Sequence, residues 1–292
     1  MIATAFSTSQ ARPQKEAAFT MDSQEDSLLY RSGDPDFMTS LVRGLAVLKS
    51  FSGSDGELTA GEICKRTGLS RAVVRRCLYT LAEAGYVRKF DDRFQLEAKV
   101  LSLAQPYYTA ARSLPATAQP FLETLSQQIN ESCSLAVLEG DDVVYVARAA
   151  TKRIMTVSLT IGSRLSGNCT SLGRVLLSSM PISELDGYLQ RNPLVAHTQK
   201  SITTKRDWKK AIAMVREQGY AIVDEELEIG LRSIAVPITD AGSQVVAAMN
   251  VGVQATRVSK KQLKDKILPT LQIAASNLSK RLCELRGVEC IR

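Results

Sequence analysis

Between Leu58 and Leu81 the apolar positions form two short helical patterns separated by a corner. Ile63 and Cys64 mark the inward face of the first, and Thr59 is placed to cap it. Gly68 stands where a helix end calls for positive φ, and Leu69 follows as the plug of the corner. Ser70 is a natural N-cap, so a second helix starts at Arg71, with Val74, Cys77, Leu78 and Leu81 as its buried stripe. Upstream, Leu41, Leu45, Val47, Leu48 and Phe51 predict an amphipathic first helix. Downstream, Gly85 ends the second helix of the pair. A hairpin follows that turns at Asp91-Asp92, with Phe94 and Leu96 on one face. Helices followed by a hairpin predict a winged helix-turn-helix over residues 37–97.

Residues 98–113 read as a linker helix, kinked or broken at Pro106, whose apolar surface calls for something to pack on. From residue 114 to 292 helices and strands mix without regular βαβ alternation. Helical patterns run around Phe121–Ile129, Ser171–Met180, Ser183–Leu189, Trp208–Gln218 and Lys260–Leu285, the last with a break expected at Pro269. Strand patterns run over Cys133–Leu138, Val143–Ala149, Val157–Ile161, Tyr220–Val223, Ser233–Ile238 and Val245–Val253. This order predicts an α+β domain on an antiparallel sheet. Residues 1–36 are rich in Ser, Gln, Ala and Asp without apolar periodicity and read as a disordered arm.

Charge sharpens the picture of the first domain. The chain of 292 residues carries a formal net charge of +7. Residues 37–112 hold twelve basic and seven acidic side chains, the densest basic excess, whereas residues 1–36 are net acidic. Arg71, Arg75 and Arg76 fall on the outer face of the second helix near its N-terminus, where a recognition helix meets base edges and phosphates. Ser70 caps that helix and is placed to touch phosphate, and Arg93 lies at the tip of the wing. A solvated basic face has the same pattern. No apolar run approaches the roughly 20 residues of a membrane span, and no secretory signal is evident, so a cytoplasmic protein is expected.

Catalytic motifs are missing: there is no GxSxG elbow, Walker A loop or GxGxxG. The single histidine, His197, lies in a polar stretch and reads as a loop residue. Six scattered cysteines without a CxxC read as reduced thiols, and no metal or cofactor is expected. Asp224-Glu225-Glu226 has the makings of an acid–base pair, with a solvated loop as the plainer reading. One segment points to a ligand. Gly162 to Gly173 is polar and loop-like and feeds into a helix, so the N–H groups of Ser171, Leu172 and Gly173 form a site for an anion. Simple capping by Thr170 or Ser171 accounts for the same residues. Asn250, set among apolar strand residues, needs a partner that a ligand would supply.

The runs SLVRGLAVLKSF, LTAGEICKRTGLSRAVVRRCLYTLAEAGYV, CTSLGRVLLSS, YAIVDEELEIGLRSIAVPI and VVAAMNVGV resemble the IclR family of bacterial transcription regulators, from about Phe37 to Leu285. Within it, the second and third runs are most similar to regulators of protocatechuate, 4-hydroxybenzoate and related β-ketoadipate-pathway genes. The resemblance implies a winged helix-turn-helix, a linker helix and a GAF-like effector domain, assembled as a homodimer or homotetramer on operator DNA. It implies an aromatic or dicarboxylic acid effector that alters DNA occupancy or contact with RNA polymerase. Carried over by position, the effector site takes Ser171 and Leu172, then Asp224, Leu231 and Ser233, then Asn250 and Gly252. Ser233, and the stretch Ser166-Gly167-Asn168, depart from the usual family residues. Two rival readings stay open: a DNA-binding protein without an effector, and an enzyme acting on a small organic acid.

Overall fold

The computed structural model describes residues 28–31, 33–52, 54, 56–110, 113–151 and 159–285. The chain divides into two compact units, Met1–Pro106 and Tyr107–Arg292.

The first unit contains helices α1 (Thr39–Lys49), α2 (Ala60–Thr67) and α3 (Arg71–Glu83) and strands β1 (Glu57–Thr59), β2 (Val87–Phe90) and β3 (Arg93–Leu96). Thr59 opens α2 with a full capping box: its hydroxyl accepts from Glu62 N while the Glu62 carboxylate accepts from Thr59 N. Gly68 ends α2 at φ 68°, a left-handed conformation that only glycine adopts without strain. The turn then delivers Ser70 and α3, whose Val74 and Leu78 are buried against Ile63, Leu69, Val47 and Phe51. Cys77 and Leu81 are partly buried in the same cluster, as the periodicity predicts.

Three features of this unit differ from the sequence reading. Leu41 and Leu45 are exposed, and α1 buries Ala46 and Val47 instead, because its apolar residues cover more of the helix than one core can take. The hairpin gains a third strand, β1, which pairs antiparallel with β3 so that Leu58 lies opposite Phe94. The arm reading fails for its last residues: Leu29 is 1% exposed within the core. Arg43 Nε donates to Leu29 O, and Tyr30 Oη donates to Gly68 O at the corner of the helix pair. Residues 1–27 lie outside the described residues.

Helix α4 (Leu101–Thr109) runs past Pro106 without breaking. Its Leu101, Leu103 and Tyr107 are exposed in the single chain. The second unit continues with α5 (Leu114–Ile129), β4 (Ser132–Glu139), β5 (Asp142–Ala149), β6 (Arg164–Ser166), α6 (Ser171–Ser178), α7 (Ile182–Arg191), α8 (Lys205–Gln218), β7 (Ala221–Asp224), β8 (Leu231–Thr239) and β9 (Val245–Gln254). It ends with α9 (Lys260–Gln262), a π turn (Leu263–Ile267) and α10 (Leu268–Leu285). The π turn absorbs Pro269, so the expected break becomes a widened turn. Strand β6 replaces the strand expected at Val157–Ile161. Residues 152–158 lie outside the described residues, and Thr160–Ser163 form a turn closed by Thr160 N donating to Ser163 Oγ.

All pairings in the six-stranded sheet β6-β5-β4-β9-β8-β7 are antiparallel. Alternation along its strands divides two faces. Cys133, Leu135, Ile234, Val236, Met249 and Val251 point to one face, where α5 and α10 bring Leu122, Leu125, Leu271 and Leu278. Ala136, Ala235 and Ala248 point to the other, and these small residues let Leu172, Val175 and Leu176 of α6 sit close to the sheet. Beyond α6, Tyr188 of α7 and Trp208 of α8 stack at 6.0 Å in a separate cluster. Among the described residues no helix is long and apolar enough to cross a membrane. The thiols of Cys64, Cys77, Cys133 and Cys169 are free, whereas Cys283 is disulfide-bonded, so the expectation of reduced thiols does not hold there.

Asp224, at the end of β7, accepts from Arg232 Nε at 2.6 Å and pairs with Lys260 Nζ at 2.9 Å. Burial works to raise its pKa, but the two cations outweigh it and hold the carboxyl below its ordinary 3.8. A depressed carboxylate stabilises the fold above its unfolded value and loses that contribution as pH falls through the folded one. Asp224→Asn is therefore expected to cost about 1–3 kcal/mol at neutral pH and to flatten the loss of stability below pH 3.8 in urea titrations. A variant as stable as the parent at pH 7 would refute this role.

Candidate functional site

Two sites emerge, one in each unit. In the first, the exposed face of α3 presents Arg71, Arg75 and Arg76, one helical turn apart. None of them, nor Arg93, forms an ion pair with a described residue. Unpaired guanidinium groups on one helix face are free for phosphate oxygens and guanine edges. Ser70 occupies the N-cap position in extended conformation but makes no capping hydrogen bond. The expected cap is absent, and the hydroxyl is left free at the end of the helix. Arg93 stands just beyond the hairpin turn, where Asp91 takes φ 49°. It shares an open groove with Lys65 and Arg66 of α2 and the carboxylates of Glu57 and Glu62. Arg66 is occupied in part: its Nη1 donates to Ser50 O and Ser52 O, fixing the end of α1 to α2.

The second site is a narrow cavity of about 40 Å³ between the α6 face of the sheet and the start of α6. Its floor follows from strand register. Arg148 lies opposite Ser134, which lies opposite Asn250, making one row across β5, β4 and β9. Ser132, Gly252 and Ser233 form the next row. The wall is Cys169-Thr170-Ser171, and Leu159, Leu227 and Leu231 bring apolar surface. Ser134, Arg148, Ser171, Ser233 and Asn250 face the cavity without a side-chain hydrogen-bond partner among the described residues. Ser134, Ser171 and Asn250 are buried and Arg148 and Ser233 half-buried; buried polar groups are ordinarily paired, so unpaired ones converging on one space make it a candidate binding site.

The electrostatics favour an anion. Burial lowers the pKa of Arg148, and no carboxylate stands near enough to offset that effect. A carboxylate placed beside it would supply the missing counter-charge. At α6, Thr170 Oγ1 accepts from Gly173 N at 3.1 Å, which leaves the N–H groups of Ser171 and Leu172 as the unpaired donors of the first turn. Tyr145 has its phenol pushed up to about 12 and Cys169 its thiol to about 11, both chiefly by burial. Cys169 therefore stays a thiol at neutral pH, which argues against a redox role at this site.

Of the residues expected to hold the effector, Ser171, Leu231, Ser233, Asn250 and Gly252 come together here. Leu172 and Asp224 do not line the cavity. The side chain of Leu172 is fully buried in the core beneath α6, because it points down from the first turn onto the sheet. Asp224 follows Val223, which does line the cavity, so alternation turns it to the opposite face and its cations. Nor is Asp224-Glu225-Glu226 a solvated loop or an acid–base pair: Glu225 is bound to Lys200 and Glu226 to Arg174. Sequence reasoning missed Arg148. The register between β4 and β5 shifts at Leu135/Ala136, where Ala136 faces Tyr145 and Leu135 faces Ala147, leaving Val146 as an extra residue. This bulge brings Tyr145 and Arg148 to the same face, although their spacing of three assigns them to opposite ones.

Two family models match the chain: the IclR helix-turn-helix domain over residues 40–90 and the bacterial transcriptional regulator IclR C-terminal domain over residues 106–280. The chain belongs to the IclR family. It is 45% identical over 252 residues to the Pca regulon regulatory protein of Pseudomonas putida, covering 86% of each chain. A crystal structure of a putative transcriptional regulator from Rhodococcus sp. RHA1 is 42% identical, with a TM-score of 0.76 over 85% of this chain and all of that one. The inducer-binding domain of a doubly mutated PobR transcription factor from Acinetobacter, in complex with 3-hydroxybenzoic acid, is 33% identical. It has a TM-score of 0.54 and covers 56% of this chain and 97% of that one. The winged helix-turn-helix and the antiparallel-sheet domain are the fold of this family of transcription regulators.

The wall of the cavity depends on one close backbone contact. A Cβ on Gly173 would lie 2.2 Å from Gly167 Cα and 2.5 Å from its carbonyl oxygen. Gly173→Ala is thus expected to destabilise the second unit by at least about 3 kcal/mol in chemical denaturation. Gly167→Ala, whose Cβ meets the tip of the Leu177 side chain at 2.8 Å, costs less. The reverse order would contradict the packing described.

Proposed function

We propose that the chain is a regulator of aromatic acid catabolism that binds operator DNA through α3 and the wing and answers to a small organic acid in the second-unit cavity. The observation that carries the effector half is the set of four unpaired polar side chains, Ser134, Ser171, Ser233 and Asn250, around Arg148. The acid's carboxylate pairs with Arg148 and the first turn of α6 at Ser171, its carbon frame rests on Leu227 and Leu231, and Asn250 and Ser233 bond its remaining oxygens. The PobR domain supports this reading, because it holds a hydroxybenzoic acid on a related fold. In the first unit Arg75 and Arg76 read the major groove, Arg71 and Ser70 hold phosphate, and Arg93 reaches the backbone from the wing.

A second copy of the chain completes the regulator. Met38, Leu41 and Leu45 at the start of α1 are exposed, and so are Leu101 and Leu103 on α4. A homodimer covers such surface and duplicates the half-site contact, and pairing of dimers gives the tetramer. The regulator works in the cytoplasm, where it meets operator and RNA polymerase. Apo and acid-bound forms must differ in operator affinity or polymerase contact for a signal to result.

Fluorescence anisotropy on the DNA upstream of its own and the adjacent gene tests both halves, run at stated salt with and without 4-hydroxybenzoate, 3-hydroxybenzoate, protocatechuate and adipate. Arg75→Ala is expected to lose about 1–3 kcal/mol of specific binding and to relax preference at one base position. Unchanged operator affinity would remove it from the recognition face. Arg148→Met is expected to keep operator binding and to lose the response to acid. A variant that still responds at the parent's acid concentration places the carboxylate elsewhere.

A further inference from the structure

Arg174 and Glu226 form a bidentate ion pair, Nη1 to Oε1 at 2.8 Å and Nη2 to Oε2 at 2.5 Å, with side chains 4% and 9% exposed. Such a pair gains little net stability over well-packed apolar residues of the same volume, because both ions are stripped of water. Arg174 Nε, moreover, is buried without a partner, so the pair is not optimised for stability. Its position shows another use. Arg174 stands one turn along α6 from Ser171, and Glu226 immediately precedes Leu227, an apolar wall of the cavity.

Glu226 belongs to a bonded cluster. Ser201 Oγ donates to Glu226 O at 2.7 Å, and Ile202 N donates to Glu226 Oε2 at 3.4 Å. Thr198 Oγ1 donates to Glu225 O at 2.7 Å, and Lys200 Nζ pairs with Glu225 Oε1 at 2.5 Å. Glu225 Oε2 accepts from Gly230 N at 3.0 Å and so closes the loop between β7 and β8 on itself. Glu225 sits at φ 60°, a conformation costly for a non-glycine residue and held by these bonds. Among the described residues, the side-chain hydrogen bonds from this cluster to α6 are those of the Arg174–Glu226 pair.

We infer that Arg174 and Glu226 are positioning residues for the effector: the pair fixes the Leu227 wall relative to the start of α6 and so sets which acids the cavity accepts. The inference rests on the acid-receptor reading of the cavity. The acid itself touches Leu227 and Ser171, and the ion pair acts through them. An ion pair with planar, two-point geometry holds its elements at one separation, which apolar contacts of equal strength do not.

Calorimetric titration of the full chain with 4-hydroxybenzoate, 3-hydroxybenzoate and adipate tests this, alongside thermal unfolding and operator binding without acid. In the double variant Arg174→Met/Glu226→Leu the unfolding temperature and basal operator affinity are expected to stay near those of the parent. Affinity for the preferred acid is expected to fall tenfold or more, and the ratios among the three acids to narrow. Glu226→Gln, which keeps the shape and one hydrogen bond, is expected to fall between parent and double variant, and serves if the double variant fails to fold. A folded double variant with the parent's affinities and ratios overturns the inference. So does a loss in Glu226→Gln that the double variant restores together with stability, since a merely structural pair behaves that way. A parent chain that binds none of the three overturns the acid-receptor reading beneath it, an outcome separable from both.

Discussion

The second unit depends on a contact between two backbones. Gly167 and Gly173 meet with no room for a side chain on Gly173, and this seats the turn before α6 directly against the helix. The approach lets Thr170 cap the helix while Ser171 faces the cavity. It is matched beneath by Ala136, Ala235 and Ala248, which lower α6 onto the sheet. Small residues on both sides of the helix thus bring its N-terminus to the polar rows of the floor. A bulkier layer would lift the first turn away from Arg148 and Asn250 and open the site to water.

The two units rest on different physics. The first is held by short-range devices: a capping box, a left-handed glycine, and a core of ten buried apolar residues that includes Leu29 from upstream. Its working face is left electrostatically unsatisfied, as a surface awaiting a polyanion must be. The second unit places its unsatisfied groups inside, where they are more costly and so more selective. Around them three carboxylates at the end of β7 and the start of the following loop are neutralised: Asp224 by Arg232 and Lys260, Glu225 by Lys200, and Glu226 by Arg174.

That contrast explains what was legible in the sequence. The helix-turn-helix was, because Thr59, Gly68 and the stripe Val74, Leu78 act on neighbours a few residues away. The polar segment before Ser171 and the lone Asn250 were legible as anomalies, although their meeting place was not. Leu41 and Leu45 misled because α1 is apolar on two sides, and local periodicity cannot say which side the core takes. Leu29 lacked any periodic context. Asp224 and Leu172 sit beside cavity residues in the chain, but strand alternation and helix geometry turn their side chains away. Arg148 was hidden by long-range pairing: its face depends on how β5 registers against β4.

The bulge at Val146 carries a consequence for how such a receptor changes over time. One supernumerary residue sets the parity of everything after it in β5. Drawing Val146 into regular pairing, with no residue lost, would hand the cavity the methyl group of Ala149 and drive the guanidinium of Arg148 into the hydrocarbon layer under α5. The charge of the chamber is therefore stored in a pairing register as well as in an amino-acid identity. Substitution of a lining residue tunes the chamber by degrees, whereas a slip that irons out the bulge would exchange a charged chamber for a neutral one at a stroke.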